Sequence, residues 1–458
     1  MKRIKNKRRE WILILALFPV FGMAQGSGTG NRDTAKISKH ELSVQQAIDY
    51  AGKNNVQVKN ALLNIQIQEQ TNREVTSAAL PQISATGSFV YNAKLPISLI
   101  PAELFGGTAG TFQKFPFGVK YNMTGGVQLN QILFDGQVFV GLQARESVLK
   151  FQQKNLEVTE EMVKTNIYKI YYQLVVSKQQ IELLDANIDR FEKLLKDTKI
   201  IQENGFAEKL DVDKVNVALT NLQTEKVRAL NQVENGYLGL KLLMGMPARD
   251  ELVLTDSISY DQVKDGVLDA GNFQYGDRKD YQYAELGIKL NEYNIKRYKL
   301  SRLPTLNFNA YYNKNAQRNK FDFLGNGDWF NVSALAFNLN VPIFTGFSTK
   351  AKIQKAKLEL EQSINQREYL KISIDGDIEI AKNNFRSSIS TLDFQKKNME
   401  LAESVYQQTK KKYEAGTGSQ TEINTAQTDL KTAQTNYITA LYDAIIAKVD
   451  FLKATGKL

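Results

Sequence analysis

The feature that most restricts what this chain can fold into is a heptad register written twice, 211 residues apart. Ile423, Ala426, Leu430, Ala433, Tyr437, Ala440, Ala444, Ala447 and Phe451 succeed one another at alternating steps of three and four. Subtracting 211 gives Val212, Val215, Leu219, Leu222, Lys226, Ala229, Val233, Gly236 and Leu240, of which only Lys226 is charged. The stretches before them keep the same phase: Ile167, Ile170, Leu174, Ser177, Ile181, Leu184, Ile188 and Phe191 fall on Ile378, Ala381, Phe385, Ser388, Leu392, Gln395, Met399 and Ala402. A sustained 3.5-residue repeat specifies helices that supercoil left-handedly about one another. Ordinary amphipathic helices of a globular bundle would suit the spacing but not the lengths. No proline falls between Gln137 and Asn204, or between Phe347 and Glu414, so each stretch predicts a helix of about 68 residues, roughly 100 Å long. Each reaches a glycine turn, Gly205 or Gly416, and is followed by a shorter return helix, about 208–244 and 419–454. Two further helices are expected over about 41–78 and 277–302. Their lengths imply that two short helices stack end to end beside each long one, making a wall roughly 100 Å tall.

Between the helices the period changes from 3.5 to two. Leu80-Pro81-Gln82-Ile83 and Leu303-Pro304-Thr305-Leu306 open alternating stretches. In the first, Ile83, Ala85, Gly87, Phe89 and Tyr91 share one face and Gln82, Ser84, Thr86 and Ser88 the other. Tyr121–Asn130, Thr305–Asn313 and the segment around Leu335–Val341 alternate in the same way, with Asn, Gln, Ser and Thr on the polar face and almost no charge. Each is about 10 residues, the length of a membrane-spanning strand. Tyr91, Tyr121, Tyr311, Tyr312, Trp329 and Phe330 lie near strand ends, where an aromatic girdle would sit. A soluble sandwich with one solvated face would show the same alternation. In lipid, four strands cannot close, so a spanning chain must oligomerise; a dimer gives eight strands and a trimer twelve. The loop from Lys94 to Lys120 makes the first hairpin the longer one, as expected of an extracellular loop.

Composition removes other classes. The 458 residues include no Cys and one His, His40, so there is no disulfide, no thiolate and no multi-histidine metal site. No phosphate loop or nucleophile motif occurs, and an enzyme, a cofactor or a metal is not expected. The formal charge of +10 would suit nucleic acid, but much of it is concentrated at the start. Lys2, Arg3, Lys5, Lys7, Arg8 and Arg9 precede an apolar run from Trp11 to Phe21 and small residues at Gly22 and Ala24. This reads as a cleaved secretory signal over 1–24, too short to span a membrane as a helix. Its removal takes away six cations and Glu10, leaving +5 and no basic helix face for nucleic acid.

The order of signal, helix, strand hairpin, long helix, glycine turn and return helix, twice over, resembles the TolC family of outer membrane factors. Tyr413-Glu414-Ala415-Gly416-Thr417-Gly418-Ser419-Gln420-Thr421-Glu422-Ile423, with Ala426, is similar to the family's tip motif, as is Asn204-Gly205-Phe206 through Leu210-Asp211-Val212. The resemblance covers essentially all of the chain after the signal. It implies an α+β membrane protein: a homotrimer whose four strands per chain form a 12-stranded outer-membrane β-barrel, continued by a periplasmic α-helical coiled-coil barrel. It also implies partners, namely a periplasmic membrane-fusion adaptor, an inner-membrane RND or ABC transporter and outer-membrane lipid, with passive conduction in efflux or type I secretion. The expected divisions are the signal at 1–24, a linker at 25–40, a first repeat at 41–245, an equatorial segment at 246–276 and a second repeat at 277–458. In the first repeat the strand hairpin is 82–134, the long helix 137–204 and the return helix 208–244; in the second they are 305–344, 347–415 and 419–454.

At the tips, Asp211 and Glu422 each lie six residues past a turn glycine, where a carboxylate favours a helix N-terminus by about 0.3–1 kcal/mol. Repeated about an oligomer axis, each would also concentrate negative potential at a narrowed mouth. The resemblance matches Glu422 to a pore-lining acid and Asp211 with Tyr413 to part of the network holding the tip shut. The chain departs from that pattern at Gly418, where better-known members carry an arginine, and at Thr425, where some carry a second acid. Gly205, Phe206, Gly416 and Thr417 are the candidates for adaptor contact, beside their ordinary work in helix capping. A coiled-coil adhesin or stalk would share the heptads without needing duplicated strand hairpins. A periplasmic adaptor would offer one helical hairpin rather than two.

Overall fold

The computed structural model describes residues 38–264, 273–325 and 327–458. The expected signal at 1–24, most of the linker and residues 265–272 of the equatorial segment lie outside the described residues. In chain order the elements are β1 (Lys39–Leu42), α1 (Val44–Asn54), α2 (Val56–Ser77), β2 (Gln82–Tyr91), β3 (Ile97–Pro101), β4 (Phe112–Pro116), β5 (Tyr121–Phe134), α3 (Gly136–Glu203), α4 (Lys209–Met244), β6 (Glu251–Leu254), α5 (Tyr260–Lys264), α6 (Lys279–Leu300), β7 (Thr305–Arg318), β8 (Phe330–Asn340), α7 (Ser348–Glu414) and α8 (Gln420–Ala454).

The heptad positions are the ones that become buried. Val215, Leu219 and Leu222 on α4 and Ile423, Ala426 and Leu430 on α8 lie in one core with Leu184, Ile188, Phe191 and Leu194 of α3, so α3 and α8 join the two helical hairpins. Lys226, the charged exception, reaches across to Asp185 of α3 at 2.5 Å instead of entering the core. Among the described residues no helix is long and apolar enough to cross a membrane.

The region expected as one helix over about 41–78 is in fact a strand and two helices. Lys39 and His40, expected in the linker, begin β1, which pairs in parallel with β6. Ser43 then caps α1 with a capping box, and the helix breaks at Asn55. That side chain is buried and fully employed: its oxygen accepts from the Gln57 and Val58 amides at 2.7 and 3.1 Å, and its nitrogen donates to the Leu243 carbonyl at 2.6 Å. It thus starts α2 and finishes α4 at one point. Gly245, left-handed at φ 71°, ends α4 so close to the Asn54 carbonyl that a Cβ would collide with it. In the second half Arg278 meets the end of α8 in a comparable way, donating to the Ala454 carbonyl at 3.2 Å and to Asp280 at 2.6 and 3.0 Å.

β1 and β6 are tied to α3 through Tyr171. Its hydroxyl donates to the Leu42 carbonyl at 2.9 Å and accepts from the Asp256 amide at 3.2 Å, while the Asp256 carboxylate accepts from Val44 N–H at 2.8 Å. Burial pushes the phenols of Tyr171 and its neighbour Tyr172 up to about 12. Further along, Tyr260 hydrogen-bonds Asp393, and Tyr275 donates to Asp375 at 2.9 Å. The described parts of the equatorial segment are therefore pinned to both long helices by phenol groups.

The four period-two stretches form one antiparallel sheet in the order β2-β5-β7-β8. Register aligns Ala85 with Val127 and Val127 with Tyr312, and on the opposite face Asn130 with Asn309 and Asn307 with Asn338. One face is therefore mainly apolar, with Lys314 and Arg318 on it only towards the far end of β7; the other is largely an amide and hydroxyl surface that carries no Asp, Glu, Lys or Arg. A bulge between Ile132 and Phe134 brings Phe134 onto the apolar side opposite Leu306. Among the described residues nothing covers the apolar face: Leu335, Phe337 and Leu339 are 74%, 68% and 65% exposed. The loop from Lys94 to Lys120 contains its own small hairpin, β3 with β4. At that end of the sheet Phe89, Tyr121, Phe321 and Phe323 form a ring cluster with centroid separations of 5.6–6.3 Å, and the Arg318 guanidinium lies over Phe323 at 5.2 Å.

Candidate functional site

Both hairpin tips close by the same device. Gly205 and Gly416 are left-handed at φ 80° and 72°, and the next residue donates back over the turn, Phe206 to the Ile201 carbonyl and Thr417 to Lys412, each at 3.0 Å. This is a Schellman closure, which requires a residue without a Cβ penalty at the turn. Phe206 is 86% exposed, and Thr417 is exposed beside Gly416, so the tips present an apolar ring on one hairpin and a hydroxyl on the other.

Asp211 and Glu422 occupy equivalent places, the third position of α4 and of α8. Each accepts from the backbone amide three residues earlier, Glu208 and Ser419, at 3.4 Å. Ser419 completes a capping box by accepting from the Glu422 amide at 3.2 Å. Asp211 is half-buried, with Lys214 at 3.7 Å, and Glu422 is exposed. Tyr413, on the last turn of α7, hydrogen-bonds Gln420, whose oxygen also accepts from Thr198 of α3 at 3.4 Å. A single chain therefore gathers Tyr413, Gln420 and Thr198, and leaves Asp211 on its own helix. Gly418 donates to the Lys412 carbonyl at 3.0 Å, and a Cβ there would come within 2.9 Å of the Tyr413 nitrogen. The tight turn accounts for glycine at this place and leaves an arginine no room without a backbone shift.

The site also holds residues that the heptad reading passed over. Gln420, Gln427 and Gln434 recur at seven-residue steps on the face of α8 that meets α3. Gln434 accepts from the buried Asn187 amide at 3.3 Å, whereas the Gln427 oxygen is buried and unpaired among the described residues. Gln427 borders a cleft of about 280 Å³ with Arg190, Leu194, Tyr406, Tyr413 and Ile423. The signal was present in the sequence as three glutamines in register, but an apolar count discards them.

A two-faced antiparallel sheet with an amide-lined side, continued by paired coiled-coil hairpins, is the architecture of a protomer from a membrane duct with a long helical extension. A model of the family described as outer membrane efflux protein matches residues 47–246 and 276–457, and the chain belongs to that family. Among individual relatives, the outer membrane protein TolC of Vibrio cholerae serotype O1 is 21% identical over 338 residues, 73% of this chain and 77% of the relative. The outer membrane efflux protein BepC of Brucella suis biovar 1 is 23% identical over 452 residues, 94% and 88% of the two chains. Among solved structures, CusC superimposes with a TM-score of 0.75 at 14% identity, over 92% of this chain and 93% of the other. VceC of Vibrio cholerae gives 0.71 at 14% identity, over 90% and 96%. The chain is accordingly an outer-membrane efflux protein with a TolC-like α+β fold.

Proposed function

We propose that three copies of the chain close a 12-stranded barrel in the outer membrane and a continuous α-helical tube in the periplasm. This tube serves as the passive exit duct for substrates delivered by an inner-membrane RND or ABC transporter through a periplasmic adaptor. The observation that carries this reading is the sheet: among the described residues β2 and β8 each have a partner on one side only, and the uncovered face is mainly apolar where the opposite face is amide-lined. In lipid such edges must be paired, and a second copy's β2 against β8 supplies the partner. The exposed stripe on α7, including Tyr369, Ile372, Ile380, Phe394 and Leu401, supports the same arrangement lower down. The uncharged lumen face suits a conduit that does not bind what passes.

Asp211 and Glu422 are proposed as the acids of the narrowed mouth, with Tyr413 holding the turn beside them. Gly205, Phe206, Gly416 and Thr417 are proposed as the surface the adaptor meets. The carboxylates' capping bonds do not remove their charge, so a threefold ring would still favour cations. The test is native mass spectrometry of the detergent-extracted protein together with migration before and after heating. A heat-sensitive trimer with strand signal in circular dichroism is expected; a monomer lacking that signal overturns the duct.

A further inference from the structure

Where β8 leaves the sheet, the second half of the chain departs from the first. In the first half Asp135 is extended at φ −148° and caps α3 directly, its carboxylate accepting from the Gln137 amide at 2.8 Å. In the second half Gly346 and Phe347 are both left-handed, at φ 57° and 63°, before α7 starts at Ser348. Phe347 is the only residue other than glycine at positive φ among the described residues, a strained conformation for a bulky side chain. The conformation turns an apolar group outward: Ile343, Phe344 and Phe347 are 94%, 74% and 70% exposed, and the two rings meet edge to face at 5.4 Å.

The first turns of α7 then carry Lys350, Lys352, Lys355 and Lys357, all exposed. No Asp or Glu occurs between Trp329 and Leu358, and the nearest acid in reach is Glu359, 3.7 Å from Lys355. The end of α6 comes to the same end of the sheet, since Thr305, just after it, pairs with Asn340 at the end of β8; it brings exposed Lys299 and Arg302, with no acid between Tyr293 and Phe321. The start of α3 has no such bias, because Asp135 and Glu146 accompany Arg145 and Lys150.

We propose that this junction binds anionic phospholipid headgroups of the periplasmic leaflet. Ile343, Phe344 and Phe347 would enter the acyl boundary while the lysines reach the phosphates. The inference rests on the sheet being the membrane barrel, which puts the ends of β8 and α6 and the start of α7 at headgroup depth. Phenylalanine and aliphatic side chains bury at the boundary between headgroups and acyl chains where basic residues flank them. Lysine stems lie along apolar surface while their ammonium groups reach polar partners. A basic cluster immediately beside a bilayer, without acids to neutralise it, is complementary to anionic lipid.

The experiment is native mass spectrometry of the full-length protein extracted in detergent, titrated separately with phosphatidylglycerol and phosphatidylcholine. Wild type should retain phosphatidylglycerol over phosphatidylcholine by about fivefold or more, as expected where several lysines act together. Lys350→Gln/Lys352→Gln/Lys355→Gln/Lys357→Gln should abolish that preference with the assembly mass unchanged. Lys355→Gln/Lys357→Gln, a milder change, should reduce it severalfold. A wild-type trimer with no preference, or lysine variants that keep it, overturns the lipid site and leaves the duct standing. Variants that both fall to monomers overturn it in favour of a contact between copies, and a wild-type monomer without strand signal overturns site and duct together.

Discussion

Glu422 and Asn55 show how much depends on where a polar side chain stands along a helix. Glu422 sits at the third position of α8, where its carboxylate serves the helix start and, in the proposed trimer, the mouth. Glu422→Gln keeps an acceptor for the Ser419 amide and removes the charge, so the helix should lose no more than about 1 kcal/mol. Cation preference should fall, read as a smaller reversal potential under a salt gradient in planar bilayers; an unchanged potential would exclude the ring. Asn55 has three bonds and almost no exposure, and Asn55→Ala leaves two amides of α2 and one carbonyl of α4 without it. A loss of about 1–3 kcal/mol in denaturant melts is expected. The role of Asn55 was missed before folding, whereas that of Glu422 was read in outline. Asp211 and Glu422 were legible as acids early in a return helix, but their shared bond back to the cap amide is a matter of rotamer. Asn55 closes the polar run Gly52-Lys53-Asn54-Asn55, a break in the apolar pattern that a single helix over 41–78 passes over, and the arrival of α4 shows what the break is for.

Among the elements, the heptads were the most legible part, because a seam buried along its whole length must repeat in sequence. The same logic ranks substitutions along it. Leu430 is fully buried between α8, α3 and α7, so Leu430→Ala should destabilise by about 2–5 kcal/mol. Lys226 holds a heptad place with its ammonium on a half-exposed Asp185, and Lys226→Leu should change stability by no more than about 0.5 kcal/mol in the same melts. The equatorial strands were not legible. β1 and β6 are four residues each, some 210 positions apart, and nothing local marks a parallel pair of that kind. Their attachment through Tyr171 has a pH signature. A phenol raised from its ordinary value near 10 to about 12 stabilises the fold fully below pH 10, and that contribution disappears as pH climbs through 12. Alkaline titration should therefore show late phenolate absorbance together with loosening of the belt, and Tyr171→Phe should reduce that late absorbance.

At the scale of the whole molecule, duplication accounts for the general plan and its breaches carry the individuality. The two halves share a sheet, a seam and a tip closure. They differ where one half has an acid-capped junction and the other a strained phenylalanine before four lysines, and where the first strand loop carries the extra β3–β4 hairpin. The unpaired edges of β2 and β8 have a genetic consequence as well as a structural one. In the proposed ring every chain must offer a sound edge to its neighbour on both sides, so one damaged copy spoils a duct to which two intact copies contribute. With equal expression of intact and edge-damaged chains, random mixing leaves only about one duct in eight wholly intact. A proline in the middle of β8, as in Leu335→Pro, should therefore act dominantly over the wild-type allele. Drug or dye retention in cells carrying both alleles checks this, and full recessiveness would show that defective chains are discarded before they mix.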